Sequence, residues 1–251
     1  MSINEIDDVL AHVLEFVQDS LRAWAALSLV NKAFHCAGSK WYFWLFATRQ
    51  ETIDFFRRDH AWRVCKLEIG TFSKRHLYAP NTMMHVNGFQ SLVELKFIRA
   101  MPLLEFPPRI RKLWFWHCEI DDKFLEPLCA TDVQYISIAN CPKVTGAYFS
   151  KFRSLSTLQL HSMDWPELIP LPPNLRELDL YDVEHLSTLP LFSTLHTLKM
   201  YACHRVDGAS LIPQPTLRTA SIQCCNRIKP SDIERMLGKP RSTLPCSLLH
   251  V

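Results

Sequence analysis

The chain has 251 residues, of which 48% are hydrophobic and 21% charged, and a net charge of +3. That balance excludes a mainly disordered chain and gives no argument for nucleic acid or a membrane surface as a partner. The longest unbroken apolar run, Trp41 to Ala47, is far shorter than the roughly 20 residues a bilayer core requires, so no membrane span is expected. The opening Met-Ser-Ile-Asn-Glu-Ile-Asp-Asp is acidic where a secretory or mitochondrial leader would be basic, so no leader is expected either.

All sixteen prolines lie at or beyond Pro80. Proline breaks helix interiors at a cost of about 3 kcal/mol, so this asymmetry predicts two architectures in series, a helical one and then one with frequent bends. In the first, Ile6, Val9, Leu10, Val13, Leu14 and Val17 form the stripe of an amphipathic helix, and Ser2 and Glu5 are spaced as a capping box. Ala23, Trp24, Leu27, Val30 and Phe34 continue the helical spacing in a second element that stops at Gly38. A third element is expected from Trp41-Tyr42-Phe43-Trp44-Leu45-Phe46. So many adjacent aromatics cannot share one helix face, so part of this surface is either sandwiched between helices or offered to a partner. Three short helices make a thin core that needs a neighbour, either the rest of the chain or another protein.

These residues resemble the F-box family. The resemblance rests on the acidic, leucine-containing stretch Ile6 to Val17, on Leu27-Ser28-Leu29-Val30-Asn31-Lys32-Ala33-Phe34, and on the tryptophan at Trp41. It covers roughly residues 3 to 47. Ile6-Asp7 stands where the family usually has leucine-proline. The resemblance implies that a Skp-type adaptor binds here, through Ile6, Leu10, Leu14, Leu27, Val30, Phe34 and Trp41, some of which instead build the small helical core.

Beyond a helical connector expected at residues 49 to 62, with the charged run Arg57-Arg58-Asp59-His60, the pattern apolar-x-x-apolar-x-apolar recurs. It runs Val64/Leu67/Ile69, Leu92/Leu95/Phe97, Ile110/Leu113/Phe115, Val133/Ile136/Ile138, Leu155/Leu158/Leu160, Leu175/Leu178/Leu180, Leu195/Leu198/Met200 and Leu217/Ala220/Ile222. From Ile110 on, the spacing is 20 to 23 residues. This is the leucine-rich repeat period, in which each unit supplies one short strand and a return segment to a stacked, curved array. Pro107-Pro108, Pro172-Pro173, Pro190 and Pro215 fall in the returns or just before strands. Returns near 121 to 129 and 145 to 152 have room for a helical turn, whereas those between 162 and 194 do not. Ser231-Asp232-Ile233-Glu234, between Pro230 and Gly238, predicts a short capping helix, after which residues 239 to 251 form an irregular tail.

The expected architecture is therefore an α/β solenoid, with a three-helix F-box-like module over 1–48, a connector over 49–62, about eight leucine-rich repeats with their cap over 63–238, and the tail.

Nine cysteines, some beside histidine, raise the question of a metal. Cys118, Cys141, Cys203 and Cys225 each follow the first apolar residue of their repeat by eight positions, where the repeat pattern asks for asparagine or cysteine. They read as structural thiols, and with no C-x-x-C pair no metal or other cofactor is expected. Asp121-Asp122 reads as a solvated turn pair rather than a catalytic one. No nucleophile elbow, phosphate loop or zinc-protease motif occurs, so a non-enzymatic protein is expected. Free cysteines without a glycosylation sequon fit a reducing compartment, cytoplasm or nucleus. The column also resembles the cysteine-containing repeats that commonly follow an F-box.

Between the apolar positions lie the residues of the expected concave face, among them Trp114, Trp116, Tyr135, His161, Tyr181 and Tyr201. Aromatics on an exposed strand surface are frequent binding hot spots, and these six are the candidate substrate-binding residues. The resemblance then implies the substrate-recognition subunit of a Skp-cullin-F-box ubiquitin ligase, with the adaptor, a cullin scaffold and a protein substrate as partners. A protein-interaction scaffold without a ligase role is the alternative. Trp114→Ala is expected to weaken partner capture by about 2 kcal/mol or more; undiminished recovery of the partner from cells would remove this residue from the site.

Overall fold

A computed structural model describes residues 43–47, 64–70, 89–99, 106–163 and 171–238, all within the compact unit Phe43–Val251. The candidate adaptor-binding residues Ile6, Leu10, Leu14, Leu27, Val30, Phe34 and Trp41, the connector and the tail lie outside these residues.

Among the described residues, nine strands form one parallel sheet in strict chain order: β1 (Phe43–Ala47), β2 (Val64–Gly70), β3 (Glu94–Ile98), β4 (Lys112–Trp116), β5 (Tyr135–Ala139), β6 (Thr157–His161), β7 (Glu177–Tyr181), β8 (Thr197–Tyr201) and β9 (Thr219–Gln223). This is a solenoid-like α/β arrangement with few helices. Each of the eight apolar triplets read from the sequence has its second and third members in one of β2 to β9, in register with those of the neighbouring strands. Those members are buried in every repeat, from Leu67 and Ile69 to Ala220 and Ile222, and the first members from Leu92 to Leu217 are buried beside them. Full burial of one such side chain stabilises by about 1.5–3 kcal/mol, so the triplets form the main core. Phe97 and Phe115 stack within it at 5.5 Å, and Phe124 meets Phe115 edge-on at 5.6 Å.

One expectation is corrected at the start of the sheet. Phe43–Ala47, placed in a third helix by the sequence reading, is strand β1 and pairs in parallel with β2. Adjacent aromatic and branched residues favour an extended chain, and the pairing supplies β2 with hydrogen-bond partners on the edge that would otherwise begin the sheet.

The turns repeat as regularly as the strands. The residue after each of β3 to β9 has positive φ: Arg99, His117, Asn140, Ser162, Asp182, Ala202 and Cys224, at φ of 49 to 56°. From Arg99 to Ala202, its N–H donates to the carbonyl of the last residue of the next strand, at 2.8–3.0 Å. The left-handed conformation therefore closes one more rung of the ladder in every repeat, which offsets its steric cost of about 1–2 kcal/mol for a non-glycine residue. The next residue turns inward. Cys118, Cys141, Cys203 and Cys225 are buried there, as are Met163 and Val183 in the same column.

The returns differ in length as expected. That after β4 holds helix α1 (Asp122–Leu125) and a 3₁₀ segment, Glu126–Ala130, and that after β5 holds the 3₁₀ turn Phe149–Lys151. Described residues between β6 and β8 outside strands contain no helix. Asp121 and Asp122 are not simply solvated. Asp121 caps α1 by accepting from the Phe124 N–H at 3.0 Å, and Asp122 accepts from the Thr145 and Gly146 N–H groups of the next return, at 3.1 and 2.9 Å.

Helix α2 (Pro230–Leu237) follows β9 and buries Ile233, Met236 and Leu237. Its N-cap is Lys229, whose N–H donates to the Asp232 carboxylate at 2.9 Å, and Gly238 at φ 61° closes the other end. Arg235 ties the helix to the preceding return, donating to the Gly208 carbonyl at 2.6 Å and to Asp232 at 3.1 Å. Gln214 is a second tie. Its side chain accepts from the Phe192 N–H at 2.8 Å and donates to the Pro190 carbonyl at 3.0 Å, while its own N–H donates to the Met236 carbonyl.

Gly208 sits under this cap, where an added Cβ would overlap the Asp232 carboxylate and lie 2.9 Å from the Arg227 carbonyl oxygen. Gly208→Ala is expected to destabilise the array by about 2–3 kcal/mol through overpacking. Urea unfolding monitored by circular dichroism tests this, and an unchanged midpoint would contradict the packing described.

Candidate functional site

Side chains alternate across a strand, so the positions flanking the buried members of each triplet point away from the core. In-register pairing lines these up into three columns across β2 to β9. The first runs Lys66, Glu94, Lys112, Tyr135, Thr157, Glu177, Thr197 and Thr219, and the second Glu68, Lys96, Trp114, Ser137, Gln159, Asp179, Lys199 and Ser221. The third, nearest the strand ends, runs Gly70, Ile98, Trp116, Ala139, His161, Tyr181, Tyr201 and Gln223.

All six candidate substrate-binding residues lie on this outer face, five of them in two groups and Trp116 apart from both. Trp114 and Tyr135 pack together with ring centres 4.9 Å apart, and both are half-buried. His161, Tyr181 and Tyr201 form a continuous stack, His161 to Tyr181 at 5.6 Å and Tyr181 to Tyr201 at 4.7 Å with planes 8° apart. Trp116 stands apart from that stack because Ala139 occupies the intervening position, and the Lys96 ammonium lies 3.9 Å above its ring. Exposure singles out two members of the stack: Tyr181 is 41% and Tyr201 37% exposed, more than His161, Trp114, Trp116 or Tyr135. A triplet pattern predicts that these side chains face outward. It does not reveal which will cover one another, since that depends on identities one repeat away.

Sequence reasoning did not single out the charged residues of the outer columns on β2 to β4. Lys66, Glu94 and Lys112 alternate along the first column, with Glu94 3.1 Å from Lys66 and 2.9 Å from Lys112. Burial pushes the Glu94 carboxyl upward, but the two lysines outweigh it and hold the group below its usual range. Glu68, only 5% exposed, is paired with Lys96 at 3.1 Å. The alternation of sign across positions 66, 94 and 112 was visible in the repeat alignment.

No protein-family model matches the chain, and no curated protein matches it either. Among the described residues, no helix is long and apolar enough to cross a membrane, and no group of three or more histidine, cysteine and acidic side chains could hold a metal. The cysteine column has a different chemistry. Cys141 lies 3.4 Å from the carbonyls of Phe115 and Ala139, and Cys203 lies 3.6 Å from those of Leu180 and Tyr201. Each thiol thus donates to carbonyl groups at the ends of strands, as a small, weakly polar filling for the turn. The neighbouring Cys225 thiol and burial together push Cys203 upward, so it stays protonated.

Two titratable groups lie beside the tyrosines. Burial lowers the His161 pKa from 6.5, partly opposed by the Asp179 charge, and leaves its Nε2 atom without a hydrogen-bond partner. Burial raises the Asp179 pKa, opposed by His161 and Lys199. A histidine that resists protonation when folded takes up its proton more readily when unfolded, so its contribution to stability is complete above pH 6.5 and is lost as the pH falls below that value. Asp179 changes stability in the opposite direction. Wild-type protein is therefore expected to lose more unfolding free energy than His161→Gln between about pH 7 and pH 5. Urea midpoints across that range test the difference, and parallel curves would contradict it.

Proposed function

We propose that the chain is the substrate-recognition subunit of a Skp-cullin-F-box ubiquitin ligase, with residues 3 to 47 engaging the adaptor and the outer face of the repeats capturing the protein to be ubiquitinated. On this reading the eight repeats are leucine-rich repeats, the array is curved, and the aromatic face is its concave side. The observation that carries the recognition half of the proposal is the exposed stack of Tyr181 and Tyr201 on an otherwise regular sheet face. Large aromatics with few rotors bury much area on binding at little entropic cost. The adaptor half rests on the F-box resemblance of Ile6 to Val17 and Leu27 to Phe34. The mechanism is proximity: holding the substrate beside a charged conjugating enzyme raises the effective concentration of its lysines without any chemistry by this chain. Function would then be confined to the cytoplasm or nucleus, in keeping with the free thiols.

A second reading, an interaction scaffold without a ligase role, is favoured by β1, because residues taken for the end of the helical module extend the sheet instead. Recovery of the adaptor separates the two. Full-length protein is expected to co-purify a Skp-type adaptor, and a Leu10→Asp/Leu14→Asp variant to retain less than a tenth of it. Equal recovery by both would overturn the ligase reading.

A further inference from the structure

The outer face divides according to how its charges are satisfied. Across β2 to β4, the charged residues of the columns, Lys66, Glu68, Glu94, Lys96 and Lys112, all have a partner of opposite sign within about 3 Å. At β7 the situation differs. Glu177 is faced by Lys199 at 3.7 Å, whereas Asp179 makes no hydrogen bond or ion pair among the described residues. Lys199, its register neighbour on β8, and His161 act on the Asp179 carboxylate only through their charges, so its oxygens remain open to a hydrogen-bond donor from a partner.

Its surroundings narrow the choice of donor. Asp179 precedes Tyr181 by two residues on the same face of β7, beside the stack of His161, Tyr181 and Tyr201. Across the next strand the third column continues with Gln223, so the stack ends at Tyr201 with one ring face not covered by another aromatic. At its opposite end the His161 Nε2 atom is buried without a partner. Asp182 and Glu184 follow β7 and add negative charge, while Lys199 is the single lysine or arginine among the column residues of β6 to β9. Counting the outer columns of β6 to β9 with Asp182 and Glu184, four acidic groups stand against one lysine, with Arg176 before β7 and Arg205, which reaches His185, at the margins.

We propose that Asp179, Tyr181 and Tyr201 capture an arginine side chain of the protein partner, its guanidinium hydrogen-bonded to the Asp179 carboxylate and lying against the tyrosines. This rests on the reading of the outer face as a capture surface and names what it selects. A guanidinium is planar, weakly hydrated, able to give a carboxylate two parallel hydrogen bonds and able to lie on an aromatic face. An ammonium group is a strongly hydrated point charge that meets the first of these demands less well and the last only by cation–π attraction. The partner segment is then basic at the β7 end.

The test uses purified full-length protein and four acetylated, amidated pentapeptides, Gly-Leu-X-Leu-Gly, with X being arginine, citrulline, lysine or glutamate, titrated at low salt and followed by the tyrosine ring signals in nuclear magnetic resonance spectra. The arginine peptide is expected to bind at least ten-fold more tightly than its neutral isostere citrulline, with lysine between them and glutamate weakest. Asp179→Asn is expected to abolish the preference for arginine over citrulline while leaving the melting temperature equal or higher, since burial disfavours the charge that it removes. Tyr181→Ala/Tyr201→Ala is expected to weaken all the peptides that bind. Equal affinity for arginine and citrulline, lost in the tyrosine variant, would leave a peptide-binding face and overturn its cationic selectivity. An arginine preference untouched by Asp179→Asn would place the cation elsewhere and overturn the proposal. Absence of binding by all four would overturn both the proposal and the reading of this face.

Discussion

The outer face exists as a surface only because successive strands pair without slippage, and that register is held at the strand ends by residues of positive φ. Each of Arg99, His117, Asn140, Ser162, Asp182 and Ala202 donates its N–H to the last carbonyl of the following strand. A slip of one residue in any pair would carry every side chain of that strand to the opposite face, exposing its apolar members and burying its outer-column residues, a lysine or glutamate among them on β2, β3, β4, β7 and β8. The buried triplets oppose such a slip by the free energy of their burial, and the extra rung opposes it geometrically. Together they place Tyr181 beside Tyr201 and Glu94 between two lysines.

Strand positions were legible in the sequence because two independent periods coincide there: alternation within each triplet, and recurrence every 20 to 23 residues from Ile110 on. The left-handed residues were not legible. Glycine is the usual mark of positive φ, and none of the seven is glycine. What singles them out is place, one residue before the cysteine column, and this becomes apparent only after the strands are set. The run Phe43–Ala47 was misread for a related reason. An isolated aromatic stretch carries no period of its own, and only its pairing with β2 decides in favour of a strand.

The candidate site was legible in its direction and not in its contacts. That Trp114, Trp116, Tyr135, His161, Tyr181 and Tyr201 face outward follows from alternation. That Trp114 is partly covered by Tyr135, and Trp116 by Lys96, follows from which residue each neighbouring repeat supplies. Asp121 and Asp122 show the same limit: side by side they look like a solvated pair, yet one caps its own helix and the other spans to the next return.

Each described strand pairs only with the strands before and after it, and the charge ladder at β2 to β4 and the tyrosine stack at β6 to β8 share no residue. Their energetic effects should add rather than interact, as they do for substitutions that share no partners. Sequence drift can therefore retune one end of the surface while the other end stays as it was. A lineage of such chains could change the residues of its outer face repeat by repeat without passing through an unfolded intermediate.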